Sequence, residues 1–220
     1  MKIPHDRWPR LLALAAHELR TPAGVVSGYT RMLLQGRAGG LPDAQRAMLE
    51  AAGRSNDRLA ELLDQMSELA HLEDGSATLA TTAIDLAALA SPADPAAPGP
   101  TVLPPLPAAR LRADAARLRR ALGATAALHR RKGTAEVALA ARADEDALWL
   151  AVGAADAARD AVTAAPAALE PFDDLEGGLG LELTLARVVV ERHGGAIFTR
   201  PGPGPDRQVT VIRLPLAEAG

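Results

Sequence analysis

A short segment near the start of the chain brings together side chains suited to acid–base and nucleophilic chemistry. His17, Glu18 and Thr21 lie within about one helical turn, just before Pro22. His17 and Thr21 are four residues apart and share a helix face, and Glu18 lies about 100° around the axis from His17. A neutral imidazole can attack phosphorus, while an adjacent carboxylate orients the ring or accepts its proton. The segment therefore predicts a histidine that accepts a phosphoryl group.

The apolar residues around this segment predict the helix that carries it. They alternate spacings of three and four residues, which is typical of a heptad seam. The seam consists of Trp8, Leu12, Ala15, Leu19, Pro22, Val26, Tyr29 and Leu33. With Leu12 at position a, His17 falls at position f, opposite the seam and open to solvent. Pro22 removes one helical hydrogen bond and predicts a bend one turn beyond the histidine.

A second helix should pack against the first. We predict helices over residues 9–35 and 42–73, separated by a glycine-rich break at residues 36–40. The second helix has its own heptad seam, formed by Met48, Ala52, Leu59, Leu62, Met66 and Leu69. A hairpin of two such helices leaves an apolar stripe uncovered. Pairing two hairpins into a dimeric four-helix bundle would bury that stripe.

The rest of the chain predicts a mixed fold, an α+β sandwich of helices on a mostly antiparallel sheet. We assign helices to residues 113–131 and 179–193, and strands to residues 136–141, 148–153, 196–199 and 208–214. Residues 84–89 should already belong to this second domain. Residues 91–107 are rich in proline and alanine, which predicts a loop.

Composition restricts the class of protein. The 220 residues suffice for one or two domains, and with only 2% aromatics the core must be built mainly from alanine, leucine and valine. A net charge of -3 argues against binding to nucleic acid, and the absence of cysteine excludes disulfides and thiolate metal sites. No apolar run reaches the length of a membrane span, and no signal-peptide pattern is present. We therefore expect a cytoplasmic protein that binds no membrane.

The segment His17-Glu18-Leu19-Arg20-Thr21-Pro22 resembles the H-box of two-component sensor histidine kinases. Residues 22–34 resemble the remainder of that family's first dimerisation helix, and residues 59–75 resemble the end of the second. The resemblance implies a HisKA-type dimerisation and phosphoacceptor domain over residues 1–75, which would form a homodimer. It also implies that His17 is the phosphoryl acceptor, that Glu18 assists proton movement, and that Thr21 orients a water for phosphatase activity.

Residues 76–220 resemble the ATP-binding catalytic domain of the same kinases, a HATPase_c-type fold of the Bergerat kind. The segment EGGLGL from Glu176 resembles the second glycine box, usually GxGLGL, with Gly178 and Gly180 at matching positions and Glu176 in place of the first glycine. Glycines that open a helix let backbone N–H groups meet phosphate oxygens. Gly178 and Gly180 are therefore the candidate residues of a residual cofactor site. His193, in the following segment VVVERHGG, is expected to be structural.

Other boxes of the nucleotide site depart from the family pattern. The asparagines of the NxxxNA motif, one of which binds magnesium, align with Ala124 and Leu128, and neither side chain offers the oxygen ligand that magnesium prefers. The adenine-binding aspartate of the DxGxG motif aligns with Ala154, and Asp156 comes two residues late. The resemblance implies ATP and magnesium as cofactors, whereas these departures predict a degenerate site. We predict no metal ligand in this chain.

We predict an arginine-rich helix near the start of the second domain. It contains Arg110, Arg112, Arg117, Arg119, Arg120, Arg130, Arg131 and Lys132. Such a segment could contact acidic partners or phosphate, but we favour a solvated helix face.

Three functions remain open from the sequence. The favoured hypothesis is a phosphotransferase or pseudokinase derived from a histidine kinase, in which His17 exchanges a phosphoryl group with an aspartate of a response-regulator receiver domain. The first alternative is an active histidine kinase with an atypical nucleotide site. The second is a non-catalytic dimeric scaffold that binds a receiver domain. Few residues precede the H-box, so we expect the signal to arrive through an upstream sensor or hybrid kinase, unless the chain is a fragment.

Overall fold

The chain forms two compact units, Met1–Ala77 and Thr78–Gly220. A computed structural model describes residues 7–90, 99–163, 169–176, 178–202, 204 and 207–216. The helices of this part are α1 (Trp8–Leu34), α2 (Asp43–Glu73), α3 (Leu86–Ala90), α4 (Ala115–Arg131), α5 (Ala155–Thr163) and α6 (Glu182–Arg192). The strands are β1 (Thr82–Asp85), β2 (Thr101–Val102), β3 (Arg110–Ala113), β4 (Val137–Ala143), β5 (Ala147–Ala154), β6 (Glu170–Pro171), β7 (Ala196–Arg200) and β8 (Val209–Pro215). None of the helices described is both long and apolar enough to span a bilayer.

The first unit is a helical hairpin, as predicted, and its ends lie within one residue of the predicted ones. α1 runs through Pro22 without interruption. Its contact with α2 is built from small side chains: Ala16 and Ala23 pack against Leu63, and Met66 lies at the edge of the cluster. Because Ala16 and Ala23 are seven residues apart, they fall on one stripe of the helix. This stripe sets the rotation of α1 about its own axis.

The predicted seam of α1 does not lie on that stripe. Ala16 and Ala23 each follow a predicted seam position by one residue, so the seam is turned about 100° away from the line of contact with α2. Leu19, Val26 and Tyr29 are accordingly 49%, 52% and 65% exposed. The single hairpin thus leaves an apolar face on α1 uncovered, which is the situation that the heptad pattern predicts before a second copy is added.

A six-stranded sheet forms the frame of the second unit, with strand order β2-β4-β5-β8-β7-β6. Its neighbouring strands are antiparallel except for the pair β2–β4. Residues on β5 alternate between the two faces. On one face Leu150 lines the same apolar pocket as Leu118 of α4 and Val190 of α6. On the opposite face Ala151 packs in a cluster with Ala158 and Val162 of α5. The predicted sandwich is confirmed, with a helix on each side of the sheet.

Several elements of the second unit were not predicted. The helix α5 directly follows β5, and β1 and β3 form a separate antiparallel pair in which Ile84 lies opposite Leu111. The prediction that Arg110 and Arg112 belong to a helix was wrong, since both lie on β3. Within the predicted loop at residues 91–107, residues 101–102 form the short strand β2, while residues 91–98 lie outside the described residues.

Asp114 fixes the start of α4. Its side chain accepts hydrogen bonds from the backbone N–H groups of Arg117 and Ala80, and from the Arg117 guanidinium at 2.9 Å. Burial alone would raise the pKa of Asp114, but these hydrogen bonds outweigh burial and lower that pKa. The Asp114 N–H donates to Nε2 of His193, whose Nδ1 donates to the Val189 carbonyl at 2.7 Å. His193 therefore joins the start of α4 to the end of α6, which is the expected structural role.

A second histidine of this unit lies entirely inside the core. His129 on α4 is 0% exposed, and its Nε2 accepts the backbone N–H of Thr210 on β8. Nδ1 consequently carries the proton, and it has no hydrogen-bond partner among the described residues. Burial, assisted by the positive charge of Lys132, lowers the pKa of His129 from 6.5 to about 4. The neutral ring is the form that fits the folded unit.

We expect this histidine to make the second unit sensitive to acid. The unfolded chain binds a proton near pH 6.5 and the folded one only near pH 4, so stability is complete above pH 6.5 and is lost as the pH falls through this window. The full loss is roughly 3 kcal/mol. Denaturant unfolding followed by Trp149 fluorescence, in a Trp8→Phe background, should show this slope in the wild type and not in His129→Gln. Equal slopes in both proteins would contradict the assignment.

Candidate functional site

The residues of the first candidate site lie on one exposed part of α1. His17, Glu18 and Thr21 are all solvent-exposed. Within the described part of the chain, none of their side chains takes part in a hydrogen bond or an ion pair. Since Ala16 is buried against α2, the next residue along the helix points away from that contact. The imidazole of His17 is therefore open to a group brought by another molecule.

Arg20, which lies between Glu18 and Thr21 in the same segment, is held in place by α2. Arg20 donates to Oδ1 of Asp64 at 2.8 Å and lies 3.5 Å from Oγ of Ser67, so it links the histidine-bearing turn of α1 to α2. The side chains of Arg20 and Asp64 are 47% and 74% exposed. An exposed pair of this kind contributes little to stability, typically less than about 1 kcal/mol. Its effect is to position the arginine.

The second candidate site is the glycine loop before α6. Gly178 and Gly180 have φ values of +97° and +64°, a region that favours glycine. A Cβ atom on Gly178 would overlap the Arg131 guanidinium, which is the flexible end of a side chain and can shift, so the positive φ is what favours glycine at this position. The helix begins at Glu182 rather than at the predicted residue 179. Gly177 lies outside the described residues.

Two cations at the end of α4 hold this loop. Arg131 donates to the carbonyl oxygen of Gly178 at 2.5 Å. Lys132 forms an ion pair with Glu176 at 2.8 Å and also donates to Oε1 of Gln208. Glu176 is the residue that stands where the family pattern has its first glycine. The carboxylate of Glu176, a residue of the loop, therefore neutralises the Lys132 ammonium that faces the loop.

The residues aligned with the NxxxNA and DxGxG motifs have no side-chain oxygen that could bind magnesium or adenine. Ala124 and Leu128 are buried in α4 at 7% and 4% exposure, and both side chains are hydrocarbon. Ala154 ends β5, and α5 begins at the next residue. Asp156, on the first turn of α5, forms a two-pronged ion pair with Arg207, at 3.1 Å and 2.5 Å. Hydrogen bonds from Arg207 and from the backbone lower the pKa of Asp156.

The basic residues of α4 are largely engaged within the second unit, which corrects the expectation of a solvated basic face. Arg117 pairs with Asp114, and Arg120 forms two hydrogen bonds with Glu182 on the first turn of α6. Arg130 donates to the carbonyl of Gly99. These contacts hold α4 to neighbouring segments. Across the described ranges, no group of three or more histidine, aspartate or glutamate side chains is arranged to hold a metal ion.

Sequence reasoning missed the residues that connect each site to its surroundings. Arg20 and Asp64 are 44 positions apart, and Arg131 and Gly178 are 47 apart. No local pattern pairs residues at such separations. The one available signal was the charge of Glu176 at a position where glycine was expected, opposite the adjacent basic residues of α4.

The helical hairpin of the first unit matches a known protein domain. Residues 9–75 match the His Kinase A (phospho-acceptor) domain. Over 80 residues the chain is 36% identical to the circadian input-output histidine kinase CikA of Synechococcus elongatus, covering 36% of this chain and 11% of CikA. Over 228 aligned positions it is 28% identical to the probable sensor histidine kinase TcrY of Mycobacterium tuberculosis, covering 94% of this chain and 46% of TcrY. The chain thus spans less than half the length of either relative.

Solved structures extend the similarity to both units. The crystal structure of full-length ShkA in complex with AMPPNP matches with a TM-score of 0.69 and 25% identity, covering 96% of this chain and 47% of ShkA. The histidine kinase ThkA, in complex with the response regulator protein TrrA, matches with a TM-score of 0.53 and 16% identity, covering 94% of this chain and 61% of that one. The hairpin thus matches a histidine-kinase phosphoacceptor domain, and over both units the chain is similar to two-component sensor histidine kinases.

Proposed function

We propose that this chain is a two-component signalling protein in which His17 exchanges a phosphoryl group with an aspartate of a response-regulator receiver domain. The observation that carries the proposal is the exposed His17, beside Glu18 and one turn before Thr21, on a hairpin that matches the phosphoacceptor domain. The second unit, in this proposal, has an impaired nucleotide site and contributes little to forming the phosphohistidine.

The exchange needs only groups that the two proteins supply. A ring nitrogen of neutral His17 attacks the phosphorus of the aspartyl phosphate, a P–N bond forms, the P–O bond breaks, and the aspartate leaves as a carboxylate. Glu18 is proposed to orient the ring and to accept its proton. In the reverse direction the same atoms return the phosphoryl group to the receiver. Thr21 is proposed to orient the water that hydrolyses the receiver's phospho-aspartate.

The proposed partner follows from the kind of protein that the hairpin resembles. ThkA, which shares the fold, was crystallised with the response regulator TrrA. On this chain a receiver domain would have to reach an exposed histidine, and α1 leaves His17 accessible. The magnesium ion that assists the reaction would be held by the acidic residues of the receiver, so the chain described here would not need a metal ligand of its own.

The proposed assembly is a homodimer. The exposed apolar side chains of α1, which include Leu19, Val26 and Tyr29, fall on the heptad seam and not on the stripe that contacts α2. Met48 and Leu59 of the α2 seam are exposed as well, at 72% and 42%. Pairing two hairpins into a four-helix bundle would bury these faces and account for the heptad spacing.

The impaired nucleotide site is supported by the chemistry of the residues present. Ala124 and Leu128 are buried hydrocarbon groups that cannot ligate a hard cation, and Ala154 cannot accept a hydrogen bond from adenine through its side chain. Lys132, which could otherwise meet a phosphate, is paired with Glu176. The residues therefore do not fit a magnesium–nucleotide complex, and no step of the proposed exchange passes through one.

An active kinase remains the second candidate because one part of the site keeps its shape. Gly178 and Gly180 hold the positive φ angles of a glycine loop before a helix, and ShkA, a relative at 25% identity, was crystallised with AMPPNP. A scaffold without phosphoryl chemistry is the third candidate. It is separated from the first by the effect of removing the His17 imidazole.

We expect His17 to be the residue that takes the phosphoryl group from a receiver. When the chain is incubated with a receiver domain labelled on its aspartate, an acid-labile label should appear on the wild type and be absent from His17→Ala. The reason is that only a ring nitrogen at this position is proposed to attack. Because His17 is exposed, the variant should retain the wild-type circular dichroism spectrum. His71→Ala, which alters another exposed helical histidine, should keep the label. A scaffold would give no label on either protein.

We also expect weak nucleotide binding. Titration calorimetry with ATP and magnesium should show no binding in the micromolar range, because both the metal ligand and the adenine-binding carboxylate are replaced by hydrocarbon side chains. Leu128→Asn together with Ala154→Asp is the matched gain-of-function control, and it should bind more tightly than the wild type. Micromolar binding by the wild type, accompanied by a His17-dependent label from ATP, would establish the active-kinase alternative instead.

A further inference from the structure

Arg20 lies between two groups that can compete for its guanidinium. One is Asp64, which it contacts now at 2.8 Å across the hairpin. The other is the side chain of His17, three residues earlier on the same helix. Residues at this spacing are neighbours on a helix surface, with Cβ atoms about 5–6 Å apart. The arginine can therefore reach a group attached to His17 without movement of the backbone.

The two competitors differ in charge and in shape. Asp64 is a single carboxylate, 74% exposed, whose attraction for Arg20 is screened by water. A phosphoryl group on a side chain carries a charge of about -1.5 to -2 near neutral pH and offers three acceptor oxygens. The planar fork of a guanidinium matches two such oxygens at once. Both factors favour the phosphoryl group over Asp64.

We propose that Arg20 exchanges Asp64 for the phosphoryl group when His17 is phosphorylated. Before phosphorylation, Asp64 and Ser67 keep the guanidinium turned toward α2, away from the imidazole that must attack. After phosphorylation, Arg20 binds the new anion, and the ion pair between the two helices is released. Arg20 and Asp64 are thus positioning residues, and the exchange reports the state of His17 to α2. This inference rests on the proposed function, since it requires a phosphoryl group on His17.

The test loads His17 without ATP or a receiver domain. Phosphoramidate donates its phosphoryl group to an accessible imidazole: the P–N bond of phosphoramidate breaks, a P–N bond to the ring forms, and ammonia leaves with the ring proton. A ³¹P resonance that is present in the wild type and missing in His17→Ala belongs to His17. The pH dependence of its chemical shift gives the pKa of the phosphorylated side chain, called the phosphoryl pKa below, which a nearby positive charge lowers.

The 220-residue chain and three variants of it give a clear expected order. Asp64→Asn removes the competitor, so the phosphoryl pKa should fall below the wild-type value. Arg20→Gln removes the cation, so the phosphoryl pKa should rise above the wild-type value, by roughly half a unit. Glu61→Gln is the matched control, because it breaks a similar exposed pair, Arg58–Glu61 at 2.8 Å, that lies within α2. It should leave the phosphoryl pKa unchanged.

Two results would overturn the inference, and they are distinguishable. If phosphoramidate loads His17 but the phosphoryl pKa is the same in the wild type, Arg20→Gln and Asp64→Asn, then Arg20 does not bind the phosphoryl group. If His17 takes no phosphoryl group at all, the proposed function fails, and the exchange fails with it. Thermal unfolding should be nearly the same in all variants, so a shift of the phosphoryl pKa cannot be attributed to loss of the fold.

Discussion

The contact between two alanines and a leucine determines what the first unit can do. Ala16 and Ala23 pack against Leu63, and this contact fixes the rotation of α1. Because each residue advances about 100° around a helix, burial of Ala16 directs His17 to the outside and leaves Leu19, Val26 and Tyr29 exposed. The same rotation brings Arg20 within reach of Asp64 on α2. A helix turned by one residue would bury the imidazole, so the small side chains at this contact are a condition of the proposed chemistry.

The second unit combines the expected sheet and helices with loops whose polar side chains contact one another. Its sheet and the helices α4 and α6 form the expected layer, and Gly178 retains the conformation of a glycine loop. The polar groups, however, are directed toward one another: Arg131 binds the Gly178 carbonyl, Lys132 pairs with Glu176, and Arg207 pairs with Asp156. These contacts stabilise the loops of the unit from within. They are compatible with the proposal that this unit contributes little to forming the phosphohistidine.

The sequence was sufficient for the features that depend on local pattern. Heptad spacing located α1 and α2 closely, and short apolar runs located β4 and β5. It was insufficient for α5, because the first residues of that helix align with the DxGxG motif, and for β1 and β3, which are short and become strands only by pairing with each other. The heptad seam could not say which stripe faces α2, since alanines at neighbouring positions are equally suitable. The pairing of Arg20 with Asp64 depends on the rotation of α1 about its own axis, so the sequence could not predict it either.

The central claim is that His17 receives its phosphoryl group from a receiver domain rather than from ATP. The most direct measurement offers both donors to the same preparation in parallel, magnesium–ATP in one tube and an aspartyl-phosphorylated receiver in the other, and locates the modified residue by mass spectrometry under neutral conditions. We expect phosphorylated His17 only in the tube with the receiver. Phosphorylated His17 in the tube with ATP alone would contradict it.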